Sequence, residues 1–267
     1  MGSSNSGEYG ITRVMEQLWG LTEAPRKGPR PTVHLAQIID AAIGIADADG
    51  YSAVSMSRVA KQIGVTTMAL YRHVESKDDL LALMVDAVTG RMPQPADLGG
   101  GAPGPGWRDG LDTWCREYLA LLLRHPWTLH INAKGPPLAP NHLRWLDAGL
   151  KVLEPTRLSE TEKLGVILTL HNYVQGTAKL HVDFSGYGDG DPAEVSDINR
   201  DYEGFLQRLI TADRFPSLST AVQAGAFSVA DSTAEEDAEY DLSFSLGLLL
   251  DGVQRLVEAR AREADAG

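Results

Sequence analysis

The sequence has little of what several protein classes require. Its 267 residues include one cysteine, Cys115, which excludes an intrachain disulfide and a cysteine-based zinc cluster. The longest aliphatic runs, near Leu119–Leu123 and Leu246–Leu250, are far shorter than the ~20 residues that cross a bilayer. The amino terminus lacks the basic start and apolar run of a secretory signal. These absences predict a soluble, cytoplasmic protein with no membrane partner.

Motifs for catalysis and metal binding are missing as well. The seven histidines form no HxxxH or HExxH pair, and the chain has neither a GxSxG nucleophile motif nor a Walker-type phosphate loop. The sequence therefore predicts no metal, no cofactor and no enzymatic activity.

Positive charge is scarce, with 24 basic residues against 36 acidic ones and a formal net charge of −12. Because proteins gain affinity for DNA by neutralising phosphates with Lys and Arg, this balance by itself disfavours a nucleic-acid partner. The charge is uneven, however: the segment from Ala24 to Leu80 has a net charge of +1 and the other 210 residues have −13. Any contact with DNA must therefore come from the first 80 residues.

The patterns that are present are helical. Apolar residues recur at helical spacing from Leu35 to Ala46, with Thr32 as a candidate N-cap. Two short helices follow, capped by Ser55 and separated by Gly64, and Ser76 caps a fourth helix that runs to about Arg91. The short helices are predicted over Ser57–Ile63 and Thr67–Val74, and longer ones over Trp107–Arg124, Asn141–Leu153, Glu160–Val182, Glu194–Ala212 and Ala238–Arg262, with loops at 213–219 and 228–237. No segment alternates apolar and polar residues, so the predicted fold class is all-α.

A short helix, a glycine turn and a second short helix, packed on a longer preceding helix, are typical of a helix-turn-helix DNA-binding domain. One face of the second short helix presents Thr67, Met68, Tyr71 and Arg72. Arg72 suits a guanine, Met68 suits a thymine methyl group, and Thr67 suits a base edge or a phosphate. The alternative is that these residues are an ordinary solvent-facing surface of a small helical bundle.

Five motifs in register over residues 35–83 resemble the DNA-binding domain of TetR-type transcriptional regulators. They are Ala41-Ala42 followed by Asp49-Gly50, Arg58-Val59-Ala60, Ile63-Gly64-Val65, Leu70-Tyr71-Arg72-His73-Val74 and Lys77-Asp78-Asp79-Leu80-Leu81. The resemblance implies that Thr67–His73 enters the major groove, that Tyr71 and His73 bind phosphate, and that Lys77 holds the DNA backbone. With the basic arm at 24–31, the predicted DNA-binding residues are Arg26, Lys27, Arg30, Ser57, Arg58, Thr66, Thr67, Met68, Ala69, Tyr71, Arg72, His73 and Lys77.

The resemblance also implies that the remaining residues form a variable helical domain that binds a small molecule and forms a homodimer. The segments 214–218 and 244–252 look like pieces of a tetracycline-repressor-like C-terminal domain. Two apolar stripes are predicted to build a four-helix dimer interface from Leu164, Ile167, Leu168, Leu242, Leu246, Leu249, Leu250, Val253 and Val257. The alternative is that both stripes face the core of their own chain.

Aromatic residues are concentrated in one region. Four of the five tryptophans lie within 39 residues, and aromatic pockets with a few polar anchors suit planar or hydrophobic ligands. The predicted effector-binding residues are Met84, Trp107, Leu111, Trp114, Trp127, His130, Asn132, Trp145, His171, Tyr173, Gln175 and Phe184. For each residue taken singly, packing in the core is the competing interpretation.

The sequence thus divides into an N-terminal extension with the basic arm at 1–31, a helix-turn-helix domain at 32–80, and a helical effector-binding and dimerisation domain at 81–267. The predicted function is that of a repressor. It would bind a palindromic double-stranded DNA operator as a homodimer and be released by a small hydrophobic or aromatic effector. The alternative is a helical small-molecule-binding protein or enzyme with a non-functional DNA-binding domain.

Overall fold

The structure is a computed structural model that describes residues 13–21, 33–92, 106–131, 138–184, 202, 204–227 and 234–266. Every regular element in these ranges is a helix, which confirms the predicted all-α class. No helix within them is long and apolar enough to cross a membrane. Several predictions lie outside the described residues: the arm residues Arg26, Lys27 and Arg30, the effector residue Asn132, and residues 194–201 and 203 of the helix Glu194–Ala212.

The helices divide into two groups along the chain. The first group is α1 (Arg13–Leu18), α2 (Leu35–Asp49), α3 (Met56–Gln62), α4 (Thr67–Tyr71) and α5 (Lys77–Thr89). The second group is α6 (Trp107–Arg124), α7 (Pro140–Val152), α8 (Glu160–Phe184), α9 (204–209), α10 (Pro216–Gln223) and α11 (Ala234–Ala266). Two short 3-10 helices, Tyr51–Ala53 and Pro126–His130, follow α2 and α6 respectively.

Polar side chains fix the starts of three helices in the first group. Ser55, Thr66 and Ser76 each accept a hydrogen bond from the backbone N–H three residues later, at the beginning of α3, α4 and α5. Gly64 lies between α3 and α4 with a φ of 73°, a left-handed conformation that glycine adopts without a steric penalty. The predicted caps Ser55 and Ser76 and the predicted glycine turn are confirmed.

The predicted start of α2 and the predicted end of α4 differ from the structure. The N-cap of α2 is His34, whose backbone N–H donates to the side chain of Gln37 at 3.0 Å, so the expected cap at Thr32 is wrong. Helix α4 ends at Tyr71, three residues before the predicted Val74, and a turn leads from it toward α5. The recognition element is therefore a helix of five residues followed by a turn.

Helices α2, α3 and α4 share a small core, and we refer to these three helices as the head. Ile38, Ala42, Val59, Ala60 and Leu70 are at most 2 % exposed and hold the three helices together. Helix α5 packs against both α2 and α7, so it joins the head to the helices α6–α11, which we call the body. The predicted domain boundary at residue 80 falls inside α5.

Helices α8 and α11 pack along each other, and their contact corrects part of the dimer prediction. Ile167, Leu242, Leu246 and Leu250 are at most 3 % exposed within a single chain. These four residues fill the core of their own body and do not form a surface for a second chain. Apolar periodicity marks the buried face of a helix but does not specify whether the same chain or a partner covers it.

The C-terminal part contains more helix than the sequence predicts. Helix α10 starts at Pro216 inside the expected loop 213–219, and proline is well accommodated in the first turn of a helix because its missing N–H needs no partner there. Helix α11 begins at Ala234, inside the expected acidic loop 228–237. Both loops are therefore shorter than predicted.

Candidate DNA-recognition surface and effector site

The outer face of α4 presents the side chains that the sequence assigns to DNA. Met68 is 72 % exposed and Tyr71 is 46 % exposed, although both are large and largely apolar. Thr67 and Arg72 lie on the same side, while Leu70 on the opposite side is fully buried. Large apolar side chains turned toward solvent from a helix this short indicate a surface that contacts another molecule.

Helix α3 extends this surface with polar and basic side chains. Ser57 and Arg58 line a shallow groove together with Lys61 and Gln62, which were not predicted from the sequence. Their spacing of three to five residues from Ser57 and Arg58 on α3 was the signal that could have identified them. Arg58 also forms an ion pair with Asp49 at the end of α2, which ties the groove to the longer helix of the head.

The turn after α4 and the start of α5 contribute further groups. Lys77 is the first residue of α5, and its Nζ donates to the backbone carbonyl of Tyr51 at 3.4 Å. The hydroxyl oxygen of Thr66 accepts from the backbone N–H of Ala69 at 3.3 Å, so Thr66 positions α4 as its N-cap. His73 is half-buried beside these groups. The described DNA-binding candidates thus lie along α3, α4 and the first turn of α5.

Five rings form an aromatic column inside the body. Trp114 stacks on Trp145 with ring centroids 5.5 Å apart, and Tyr118 stacks on His171 at 4.8 Å. Trp114 is tilted toward Tyr118 at 6.2 Å, and His142 meets the edge of His171 at 5.7 Å. The column brings together the predicted residues Trp114, Trp145 and His171. Tyr118, one helical turn after Trp114 on α6, and His142 were not predicted.

Among the described residues, hydrogen bonds satisfy the polar groups of Trp114 and Tyr118 but leave one polar group of Trp145 without a partner. The indole N–H of Trp114 donates to the backbone carbonyl of Trp145 at 3.0 Å, and the amide of Gln175 donates to the hydroxyl of Tyr118 at 2.9 Å. The indole Nε1 of Trp145 is buried, and no acceptor in the described part of the chain reaches it. A buried N–H without a partner is energetically costly, and it offers a ready donor to a ligand atom that accepts.

The histidines of the column are held neutral. Burial, together with the adjacent His142, lowers the pKa of His171 from its ordinary 6.5 to about 4. Burial also lowers the pKa of His142, against the opposing effect of Asp86. Asp86 is itself buried, and burial raises its pKa although Asn141 donates hydrogen bonds to its carboxylate. The column therefore offers uncharged rings at neutral pH.

Other predicted effector residues lie in different surroundings. Met84 and Leu111 are fully buried in the core, and Trp107 and Tyr173 are partly buried against it. The side chain of Phe184 lies outside the described part of the chain. Met84, Leu111, Trp107 and Tyr173 are not among the five rings of the column.

Trp127 and His130 lie at the junction of head and body, which revises their assignment to the effector site. Trp127 is fully buried, and its indole N–H donates to the carboxylate of Asp47 on α2 at 2.6 Å. The ring of His130 stacks on Tyr51 at 5.7 Å with an interplanar angle of 7°. The 3-10 helix Pro126–His130 therefore contacts the head.

Apolar side chains on the outer faces of α8 and α11 are exposed among the residues that the structure describes. Phe244 is 68 % exposed and Leu248 is 61 % exposed on α11. On α8 the exposed residues Leu164, Leu168 and Leu180 form a second row. Glycines on these helices, Gly165, Gly176, Gly247 and Gly252, have open space where a Cβ would stand. Of the predicted interface, Leu164 and Leu168 belong to this surface, whereas Leu249, Val253 and Val257 are partly buried against the core.

The described residues contain no group of three or more His, Cys, Asp or Glu side chains that could hold a metal ion.

Two family models match successive parts of the chain. The family model described as "Bacterial regulatory proteins, tetR family" matches residues 38–84, and the model "Tetracyclin repressor-like, C-terminal domain" matches residues 100–257. The first match covers the recognition surface, and the second covers most of the body, including the aromatic column. Both models describe transcriptional regulators and not enzymes.

Related proteins match over most of their length. The HTH-type transcriptional repressor DrrR1 of Streptomyces coeruleorubidus is 34 % identical over 262 residues, which cover 98 % of this chain and 92 % of that protein. An HTH-type transcriptional regulator of Saccharopolyspora erythraea is 30 % identical over 148 residues, or 55 % of this chain and 61 % of that protein.

Solved structures share the fold. The crystal structure of the TetR family protein ActR of Streptomyces coelicolor in complex with actinorhodin has a TM-score of 0.68 and 22 % identity, over 84 % of this chain and 98 % of ActR. A possible TetR family transcriptional regulator from the same species has a TM-score of 0.65 and 23 % identity, over 83 % of this chain and 98 % of that chain. With both family models matched and a relative of 34 % identity aligned almost end to end, this chain belongs to the TetR family of bacterial transcriptional regulators.

Proposed function

We propose that this regulator is a repressor that binds a palindromic operator as a homodimer and releases it when a small aromatic effector enters the body. The observation that best supports this proposal is the outer face of α4, where Met68 and Tyr71 are exposed beside Arg72. Such a protein acts on DNA in the cytoplasm. The name of the relative DrrR1, a transcriptional repressor, favours repression over activation.

The side chains on this face divide into two kinds of contact. Arg72 pairs with a guanine through two hydrogen bonds, and Met68 packs against a thymine methyl group, so these residues specify the sequence. Tyr71, His73 and Lys77 bind phosphate oxygens, and their contacts set the position of the head without reading bases. Lys61 and Gln62, in the groove of α3, join the phosphate contacts.

A homodimer is needed because one head covers few base pairs. We assign its interface to the outer faces of α8 and α11, with Leu164, Leu168, Leu180, Phe244 and Leu248 at its centre. A two-fold axis through this surface makes a four-helix interface, and the exposed glycines allow the helices to approach closely.

The effector site in this proposal is the aromatic column. Its neutral rings favour a planar, uncharged aromatic molecule, which stacks on them and accepts a hydrogen bond from the indole N–H of Trp145. The fold neighbour ActR has been crystallised with actinorhodin, which supports an aromatic effector class. A titration of the protein with actinorhodin as probe, followed by tryptophan fluorescence, tests whether such a molecule binds.

The decisive test is binding to DNA from upstream of the protein's own coding sequence, measured by fluorescence anisotropy at several salt concentrations. Arg72→Ala should weaken the specific complex by ~1–3 kcal/mol and relax the preference at one base pair. Lys77→Ala should weaken all sequences alike and reduce the slope of affinity against salt by about one unit.

Lys151→Ala is the matched control, because it removes one exposed positive charge from α7 in the body. It should leave both affinity and specificity unchanged. If the wild-type protein forms no specific complex with this DNA at moderate salt, the proposed function is wrong. A small-molecule-binding protein with a non-functional head then becomes the better interpretation.

A further inference from the structure

One carboxylate connects the head to the body. Asp47, near the end of α2, accepts hydrogen bonds from His125 Nδ1 at 2.7 Å and from Trp127 Nε1 at 2.6 Å, both at the same oxygen, Oδ1. An ionised carboxylate only accepts, so the proton of the His125 ring lies on Nδ1. The two donors flank the start of the 3-10 helix that continues from α6. Asp47 thus fixes a segment 78 to 80 residues further along the chain.

The environment makes this contact difficult to break. Trp127 is fully buried and His125 is 8 % exposed, so these two donors have little access to water, although the Asp47 side chain is 34 % exposed. Hydrogen bonds to a charged acceptor are stronger than neutral ones, and a buried donor that loses its partner bears the full cost of desolvation. These contacts tie the end of α2 to the start of the 3-10 helix.

A second contact lies beside the first. The ring of Tyr51, which follows α2, stacks on His130 at the other end of the same 3-10 helix. The carbonyl of Tyr51 accepts from Lys77, a proposed phosphate contact. The junction thus links the 3-10 helix to a side chain of the DNA-binding surface through Tyr51.

We propose that Asp47 is a positioning residue that fixes the angle between head and body and thereby sets the half-site spacing that the dimer accepts. This inference rests on the proposed function, because spacing has meaning only for a dimer on a palindrome. Adding one base pair between half-sites moves the second one by about 3.4 Å and turns it by about 35°. A head held by Asp47 cannot follow that movement, whereas a head released from it can.

The experiment compares affinities for the natural promoter site and for two versions with one base pair inserted or deleted between the half-sites. The wild-type protein should strongly prefer the natural spacing. Asp47→Ala, which removes the acceptor for both donors, should reduce the ratio between natural and altered spacing by about fivefold or more. Trp127→Phe, which keeps a buried ring and removes one donor, should reduce it by a smaller factor.

Asp40→Ala is the matched control. It removes the same charge from the same helix, but the partner of Asp40 is the exposed Arg91, which follows α5, and not a residue of the 3-10 helix. Its spacing ratio should equal that of the wild type. Circular dichroism shows whether each variant is folded, and Asp47→Asn, which keeps one accepting oxygen without the charge, replaces Asp47→Ala if the latter fails to fold.

The outcomes separate the two proposals. If Asp47→Ala lowers affinity for all three sites by one common factor, or retains the wild-type ratio, the positioning role is overturned while the proposed function stands. If the wild-type protein binds none of the three sites specifically, the proposed function fails and the positioning role fails with it. The positioning role is supported if Asp47→Ala lowers the ratio of affinities for natural and altered spacing while Asp40→Ala leaves that ratio unchanged.

Discussion

Replacing Gly149 by alanine should destabilise the body, although alanine is the better helix former. Gly149 lies on α7, where an added Cβ would stand 2.8 Å from Ile167 Cδ1, 3.1 Å from Trp114 Nε1 and 3.2 Å from Trp114 Cε2. The terminal methyl of Ile167 can rotate away. The indole of Trp114 cannot, because it is stacked on Trp145 and donates to the carbonyl of the same residue.

The magnitude follows from two opposing effects. An extra methyl group in a packed core costs about 1–3 kcal/mol, whereas the change from glycine to alanine within a helix gains about 1 kcal/mol. Gly44 on α2 provides the control, since it is exposed and its Cβ would meet nothing within 4 Å. Gly44→Ala should stabilise the protein by about 0.5–1 kcal/mol. The difference between the two variants cancels the helix preference and should be about 1–3 kcal/mol.

Urea unfolding followed by circular dichroism measures both variants. Protomer concentration must be the same in each experiment, because the proposed dimer would add a concentration-dependent contribution to the apparent stability. Near-ultraviolet dichroism of the tryptophans should change in Gly149→Ala and remain unchanged in Gly44→Ala. Equal stabilisation by both substitutions would refute the reasoning, since it would mean that the Trp114 ring is free to move.

Three further predictions concern the column and the outer surface. Because the pKa of His171 is lowered to about 4 in the folded protein, the unfolded chain takes up a proton more readily in acid than the folded chain does. The free energy of unfolding should therefore fall by about 3 kcal/mol as the pH drops from 7 to 4. Urea midpoints should show a smaller loss in His171→Gln. Trp114→Phe removes the donor to the Trp145 carbonyl, whereas Trp145→Phe removes an N–H that has no partner in the described part of the chain. The first substitution should therefore lower the stability by about 0.5–1.5 kcal/mol more than the second. Equal losses of stability in thermal melts would argue against this. Leu248→Asp should shift the protein toward monomer in analytical ultracentrifugation, whereas Leu21→Asp, at an exposed leucine outside α8 and α11, should not.

The head could be predicted closely because its signals are local. Ser55 and Ser76 are polar residues immediately before helical runs, and Gly64 separates two such runs, so each boundary is determined by its near neighbours in sequence. The exposed face of α4 followed from helical spacing alone. The end of α4 at Tyr71 was missed because the apolar Val74 continues the periodic pattern although the helix does not.

The proposed dimer surface could not be predicted in the same way. The strongest apolar stripe of α11 passes through Leu242, Leu246 and Leu250, and the structure buries it in its own chain. Phe244 and Leu248 lie off that stripe and are the residues left exposed. To distinguish the two faces of α11 one must know which face packs on α8. That depends on the tertiary structure, and the periodicity of apolar residues does not reveal it.

The position of Trp127 depends on contacts that are still more distant in sequence. Its aromatic character and its place among clustered tryptophans favoured a ligand pocket. Its hydrogen-bond partner, Asp47, precedes it by 80 residues. Nothing in the sequence distinguishes Asp47 from the other acidic residues of α2. A buried indole usually finds an acceptor, as Trp127 does, but sequence alone does not identify which acceptor the fold supplies.

Helix α6 connects the two regions for which we propose functions. Trp114 and Tyr118 on this helix belong to the aromatic column, and the chain leaves the helix at His125, one of the two donors to Asp47. From Tyr118 to His125 is seven residues, or about 10 Å along a helix that rises 1.5 Å per residue. A ligand that displaces the rings must therefore either move the end of α6, and with it the contact to Asp47, or be accommodated by side-chain movement alone. If the end of α6 moves, the effector binds more tightly to the protein with the head displaced than to the protein with the head in its original position. Release of DNA requires such a difference in effector affinity between two conformations, and side-chain movement alone does not supply it.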